Sequence, residues 1–367
     1  MKKLFPLILI LFSIAACSEP PEQETEEITQ TIDSTVIRQQ SADSLRYFIK
    51  RLEDAPQVFT IPTNKISVIK GVKGSVWHIN PTDLETVSGT PIGGEIRVEL
   101  KELTTSSEFV KNNVQTISDN RILSSGGSYY IRMTTGAEEL KIKSGSTIKA
   151  EFPKIAKGGM SLFYGERDVE GAMNWKECNT TFRQAYDIVD KPRDTAWFTI
   201  DRNEKRRESI PAISGHQDID SIMSYVDGVK MTDNEKKQNE NYQKANRIYK
   251  DIYMAIEIEN LGWLNVDKYL KSQLAPLYVS TGSNNSSGYT QIYIVMKAIN
   301  SMLQNSYFDD VVTITSVPEK TDARIIALRY ENNKMYFGRK DVTFTDSNYV
   351  QLDMKEADES DVLAFLD

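Results

Sequence analysis

Three patterns of apolar and polar residues divide the chain before any chemistry is considered. An apolar stretch of 13 residues, Leu4–Ala16, follows Lys2-Lys3 and falls short of the roughly 20 residues a helix needs to cross a bilayer. Between Asp43 and Asp54, Leu45, Phe48, Ile49 and Leu52 recur at i, i+3, i+4 and i+7, which predicts an amphipathic helix capped by Ser41 or Asp43. Its polar face mixes Lys50 and Arg51 with Asp43, Glu53 and Asp54, so it is expected to pack on a domain rather than lie on a membrane. Elsewhere the period falls to two. Glu95–Leu103 alternates through Ile96, Val98 and Leu100, with Leu103 out of step at its end, and predicts a strand with one wet face.

Strand patterns fill two regions. The first holds Gln57–Ile61, Lys65–Ile69, Gly74–Ile79, Ser128–Thr134, Glu139–Ile142, Thr147–Phe152 and Met160–Tyr164, with a short helix over Ser106–Asn112. Ser124-Ser125-Gly126-Gly127 reads as a turn and Ser144-Gly145-Ser146 as a hairpin turn; such punctuation every 8–12 residues suits a sandwich. The second holds Thr290–Met296, Val311–Ile314, Ala323–Tyr330, Lys334–Arg339, Asp341–Phe344 and Tyr349–Met354. There Asn332-Asn333 suits a tight hairpin, and Asp358–Leu366 closes the chain as a helix with Val362, Leu363 and Leu366 on its apolar side. Between the regions, residues 201–208 form a charged loop, and Tyr242, Ala245, Ile248, Tyr249 and Ile252 predict a helix.

Composition narrows the picture. The chain has 367 residues, 40% of them apolar, and a mean hydropathy of −0.43, the profile of a folded body with room for two or three domains. Its net charge is −8 with two histidines, which argues against a nucleic-acid partner. Ser18–Asp33 carries six acidic residues, no basic one and Pro20-Pro21, and is expected to be a disordered tether.

Ile14-Ala15-Ala16-Cys17, behind a positive start and an apolar run, resembles the lipobox of bacterial lipoproteins. The resemblance implies cleavage before Cys17, lipidation of its thiol and acylation of the new N-terminus, enough hydrophobic chain for a stable membrane anchor. Cleavage would remove two lysines and leave a charge of −10, with Cys178 as the remaining thiol and no intrachain disulfide. Acidic segments after the lipidated cysteine are similar to those of Bacteroidetes-type outer-membrane lipoproteins; which face of the membrane is occupied stays open. The blocks Gly126–Ile131, Leu140–Gly145, Phe152-Pro153-Lys154, Gly159–Gly165 and Asn174-Trp175 resemble a β-sandwich domain of Bacteroidetes surface proteins, related to one in zonula occludens proteins, netrin receptors and ankyrins. In those relatives the domain makes protein contacts, sometimes beside a self-cleaving module with a His-Phe-Ser site. That tripeptide does not occur here. Glu259–Tyr269 is similar to a recurrent stretch of the same lipoproteins but carries Val266 where cysteine is usual, which points to a structural part.

The expected fold class is mainly β with some α: an N-terminal β-sandwich, a helical middle segment and a C-terminal β-rich domain. The expected boundaries are a signal peptide over 1–16, the lipidated cysteine, tether and short helix over 17–56, the sandwich over 57–177, a linker or insertion over 178–255, and the last domain over 256–367.

Candidate chemistry is sparse. His78 lies within Ser75–Ile79 and reads as a structural strand histidine. His216, Asp218 and Asp220 share one side of an extended segment, yet lack the Gly and terminal Glu of an EF-hand loop, and a polar loop is expected. No G-x-S-x-G elbow, Gly-rich phosphate loop or S-x-x-K set with its partner motifs occurs, and the surroundings of Cys178 do not favour a thiolate. Tyr129, Tyr130, Tyr164, Trp175, Trp197 and Trp263 supply rings for a binding surface, though core packing is their default use. The reading is a non-catalytic, lipid-anchored envelope protein that binds or scaffolds, with no cofactor or metal, a membrane contact through Cys17, an envelope protein partner and an unknown small ligand. The alternative is a hydrolase or carbohydrate-active accessory protein with dispersed carboxylates and aromatics.

Overall fold

The computed structural model describes residues 22–156, 158–184, 200–201, 207–208, 253–282, 288–308 and 311–366. The chain begins with α1 (Glu22–Leu52), then runs β1 (Gln57–Pro62), β2 (Ser67–Lys70), β3 (Val76–Ile79), β4 (Leu84–Thr86), β5 (Glu95–Leu103), α2 (Ser106–Lys111), β6 (Ile117–Ser118) and β7 (Arg121–Thr135). Next come β8 (Glu138–Ile142), β9 (Ile148–Pro153), β10 (Ser161–Arg167), β11 (Met173–Thr181), β12 (Arg183–Gln184), β13 (Ile200–Asp201) and β14 (Arg207–Glu208). The remainder is β15 (Tyr253–Ile258), β16 (Gly262–Tyr269), β17 (Leu274–Ser280), β18 (Tyr289–Met296), β19 (Ser301–Tyr307), β20 (Val311–Pro318), β21 (Asp322–Glu331), β22 (Lys334–Thr343), β23 (Asn348–Gln351), β24 (Lys355–Glu356) and α3 (Glu359–Leu366). The fold is mainly β, in several antiparallel sheets.

Two sheets stack around a first core. One has the order β1-β5-β7-β16-β10-β11, and the other β12-β15-β9-β3-β2. Ile96, Val98, Leu100, Ile131, Leu264 and Val266 of the first face Trp77, Ile79, Ala150 and Ile256 of the second, all fully buried. Phe152 ties the layers, edge-on to Trp77 at 5.5 Å and tilted against Tyr129 at 4.4 Å. A second pair of sheets, β19-β18-β21-β22-β24 and β20-β17-β23, encloses a core of Leu277, Val279, Ile292, Ile294, Ile325 and Phe344. A third core lies between the pairs. There Leu103, Phe163 and Trp175 meet Tyr293, Ile326 and Leu328, with Leu45 and Ile49 of α1, Phe109 of α2 and Val362 of α3. Every residue of β18 is buried because both its faces are covered, which explains the unbroken apolar and aromatic run Ile292–Met296.

Several expectations need correction. α1 is not confined to Asp43–Asp54, and the acidic stretch from Glu22 is helical rather than disordered. Glu and Gln are good helix formers, and acidic residues near the N-terminus oppose the positive end of the helix dipole. Asp43 therefore lies within the helix and accepts hydrogen bonds from Gln39 and Arg46 instead of capping it. Ser124–Gly127 is not a turn: it lies inside β7, where two residues, Gly126 and Gly127, oppose the single Val266 of β16 and form a bulge. A Cβ on Gly126 would stand 2.8 Å from the Val266 carbonyl oxygen, and Gly127 has φ +124°. The Ser144–Ser146 turn exists, but β8 pairs with β4 and β7 whereas β9 pairs with β15 and β3, so it crosses between sheets rather than closing a hairpin. Asn332-Asn333 does close a hairpin, with φ of 51° and 60°, between β21 and β22.

Pairing also redraws the organisation. The boundary expected between 255 and 256 falls within β15, and β15 and β16 belong to the first two sheets. β16 lies between β7 and β10, so strands on either side of residues 178–255 share one sheet. The helix expected over Asn234–Tyr253 lies outside the described residues up to 252, and Tyr253 opens a strand. Leu103 is out of step for a physical reason: it leaves the first core and enters the third.

Leu45→Ala should cost about 3 kcal/mol of unfolding free energy by opening a cavity in the third core. Val36→Ala, at a side chain 48% exposed, should change it by less than about 0.5 kcal/mol. Urea denaturation followed by tryptophan fluorescence checks both.

Candidate functional site

A cleft of about 1300 Å³ opens where the first sheet meets the C-terminal strands. Five segments line it: Thr104–Ser107 after β5, Ser124 and Ser125 beside the β7 bulge, Ile155, Ala156, Gly159 and Ser161 before and at the start of β10, Lys268–Lys271 at the end of β16, and Lys297–Asn300 between β18 and β19. Among the described residues, the lining contains seven serine and threonine hydroxyls, three lysines and Tyr269, and no carboxylate. α2 is anchored beside it by a capping box between Thr105 and Glu108. Burial works against the Glu108 carboxylate, but a hydrogen bond from Lys73 and the amides of Thr104 and Thr105 outweigh it and hold its pKa below the usual range. This acid is turned to Lys73, with Thr104 N–H donating to it at 2.7 Å.

Hydrogen bonds across the junction fix the walls. Asn300, in the left-handed conformation at φ 47°, donates its amide to the carbonyls of Thr104 at 3.1 Å and Ser125 at 3.2 Å. Buried Thr116 and Ser301 hydroxyls lie 2.6 Å apart, and the Thr116 and Met302 backbones bond at 2.8 Å. Tyr269 is held on three sides: Arg121 lies 3.5 Å over its ring, Phe163 packs edge-on at 5.5 Å, and Ser118 bonds its hydroxyl at 3.1 Å.

Behind the bulge lies a buried polar cluster. Ser125 and Ser128 donate to the Asn265 side-chain oxygen at 3.2 and 2.9 Å, and the Asn265 amide donates to Asp267. Burial raises the Asp267 pKa well above the usual value, against hydrogen bonds from Ser125, Gly126 and Asn265 that favour the charged form. Its Oδ1 is buried without a hydrogen-bond partner. Glu102, also buried, is fully engaged in holding the loop before β3: Ser75 N–H and Lys73 N–H donate at 2.8 Å, Ser75 Oγ at 2.6 Å and Gln57 at 2.9 Å.

The residues singled out in the sequence fall elsewhere. Cys17, His216, Asp218, Asp220 and Trp197 lie outside the described residues. His78 pairs across strands with buried Glu151 at 2.9 Å. Cys178 is partly buried and donates to Thr180 at 3.2 Å. Tyr129 and Trp175 are core, whereas Tyr130, Tyr164 and Trp263 are half-buried. Among the described residues, no group of three or more His, Cys, Asp or Glu is placed to hold a metal, and no helix is long and apolar enough to cross a membrane. Sequence reasoning missed the cleft because each segment contributes only two to four lining residues. No protein-family model and no curated protein matches the chain.

Asp267 binds its proton more tightly folded than unfolded, so its contribution favours the folded state below about pH 4 and is lost as pH rises. Asp267→Asn should remove this dependence and flatten the fall in melting temperature between acidic and neutral pH. Thermal melts of both proteins across that range check it; parallel curves would refute the assignment.

Proposed function

We propose that the protein is a lipid-anchored module of the bacterial cell envelope, held at the outer membrane through Cys17, that binds or scaffolds without catalysis. The observation that carries this reading is the cleft: an open, polar, rigidly framed cavity with no carboxylate among the described residues of its lining. The hydrolase alternative, built from dispersed carboxylates, would want acids there. The lipobox-like Ile14–Cys17 supports the anchor, and α1 begins five residues after Cys17. Its 31 residues amount to roughly 46 Å of helix, a spacer seated on the body by the Ala42–Leu52 end. The stacked sheets around Trp77 and Phe152 support the resemblance to the sandwich domain of Bacteroidetes surface proteins, in which protein contact is the usual role.

Palmitate labelling and fractionation of a lipoprotein-processing host test the anchor. Wild type should carry label in the membrane fraction, and Cys17→Ala should lose both label and retention; a variant that stays processed and membrane-bound overturns the anchor. Affinity capture from envelope extracts in mild detergent tests the binding role. Reproducible partners support it, and glycan turnover without partners overturns it.

A further inference from the structure

We propose that Lys101 and Asn112 are joined by an amide bond between their side chains, a cross-link that the chain makes within itself once folded. Four side chains meet where β5, α2 and the end of α1 come together. Lys101, on the face of β5 opposite Leu100 and with its side chain 11% exposed, sets its Nζ 3.2 Å from Asn112 Oδ1 and 3.0 Å from Glu53 Oε2. Asn112, the fully buried C-cap of α2, donates its side-chain N–H groups to Asp54 at 2.9 Å and to the Glu108 carbonyl at 3.0 Å. An amine, a carboxamide and two carboxylates so placed supply what transamidation needs: a nucleophile, an electrophile and carriers for the protons.

The reaction balances without an oxidant or a cofactor. The Lys101 ammonium polarises the Asn112 carbonyl, then passes a proton to Glu53, and its freed electron pair attacks Asn112 Cγ. The Cγ–Nζ bond forms, the Cγ–Nδ2 bond breaks, and Nδ2 leaves as an ammonium ion. Of the three protons on Lys101, one stays on the new amide. The other two, taken up by Glu53 and delivered beside Nδ2 by Asp54, depart with the leaving group. Position is fixed in advance: Arg167 donates to the Asn112 and Asn113 carbonyls at 2.9 and 2.8 Å, and the Asn112 N–H donates to the Glu108 carbonyl at 3.0 Å. Holding the partners at contact distance removes the entropy cost that an intermolecular reaction would meet. The competing reaction is blocked, because the Asn113 N–H that would close a succinimide on Asn112 donates instead to Val110 at 3.1 Å. Glu53 also lies in the field of Arg167, so consuming the Lys101 charge does not leave it without a cation. The ring closed from Lys101 to Asn112 contains Thr104–Ser107, and so locks that wall of the cleft onto the first sheet.

Mass spectrometry of tryptic peptides from the folded full chain is the test. Trypsin does not cut at a lysine whose side chain is an amide. Wild type should therefore give a branched species joining 98–111 to 112–121, lighter than the sum of the two by one ammonia. Lys101→Arg keeps the charge but cannot form the bond, and should give linear peptides alone with a wild-type circular dichroism spectrum. Glu53→Gln keeps a similar shape without the proton acceptor, and should slow cross-linking by about a hundredfold or more, followed by intact mass after synthesis. Linear 98–101, 102–111 and 112–121 as the sole wild-type products overturn the proposal. An ammonia loss that persists in Lys101→Arg also overturns it, since that loss marks a succinimide at Asn112. Cross-linking at the wild-type rate in Glu53→Gln overturns the mechanism by which the bond is proposed to form.

Discussion

Burial of one shared apolar surface governs this structure. The outward side of the first sheet, one side of the β18–β21 sheet, and α1, α2 and α3 all deliver side chains to the third core. Neither pair of sheets completes its packing without the other, because each owns apolar residues that only the other covers. The buried hydrogen bonds of Thr116, Ser301 and Asn300 follow from that closeness: polar groups sealed at an apolar junction must find partners there. The cleft is the place where the joined surfaces diverge. Its rigidity derives from the junction beside it rather than from its own polar lining.

Local pattern was legible wherever one strand face was dry and the other wet, and opaque wherever partnership mattered. β5 is visible from Ile96, Val98 and Leu100 alone, and the Asn332-Asn333 turn announces itself because Asn tolerates positive φ. The same vocabulary misleads at Gly126-Gly127, since a bulge and a turn ask glycine for similar backbone freedom. The neighbours of β16 cannot be read from Gly262–Tyr269, because periodicity reports a face and not a partner. The acidic N-terminal stretch shows a related ambiguity: its charge suits disorder, while its Glu and Gln content suits a helix.

The cleft was illegible for a different reason. No motif records it, and its lysines are ordinary surface residues when met singly in sequence. What sets them apart is the cleft wall on which the fold gathers them, Lys268 and Lys271 from the end of β16 and Lys297 from between β18 and β19. Behind that cleft, Asn265 and Asp267 are polar groups on a central strand, carried at the cost of a raised carboxyl pKa.

The position of β16 carries a consequence for the order of events during synthesis. When β7 and β10 have emerged, the strand that joins them is still some hundred residues away, and the half-built sheet presents two unpaired edges. Such edges invite association with other chains, and the long separation slows the correct closure. Closure of this sheet is therefore postponed until Gly262–Tyr269 arrives to zip the gap. A fragment ending near residue 177 would be a sheet with its keystone missing.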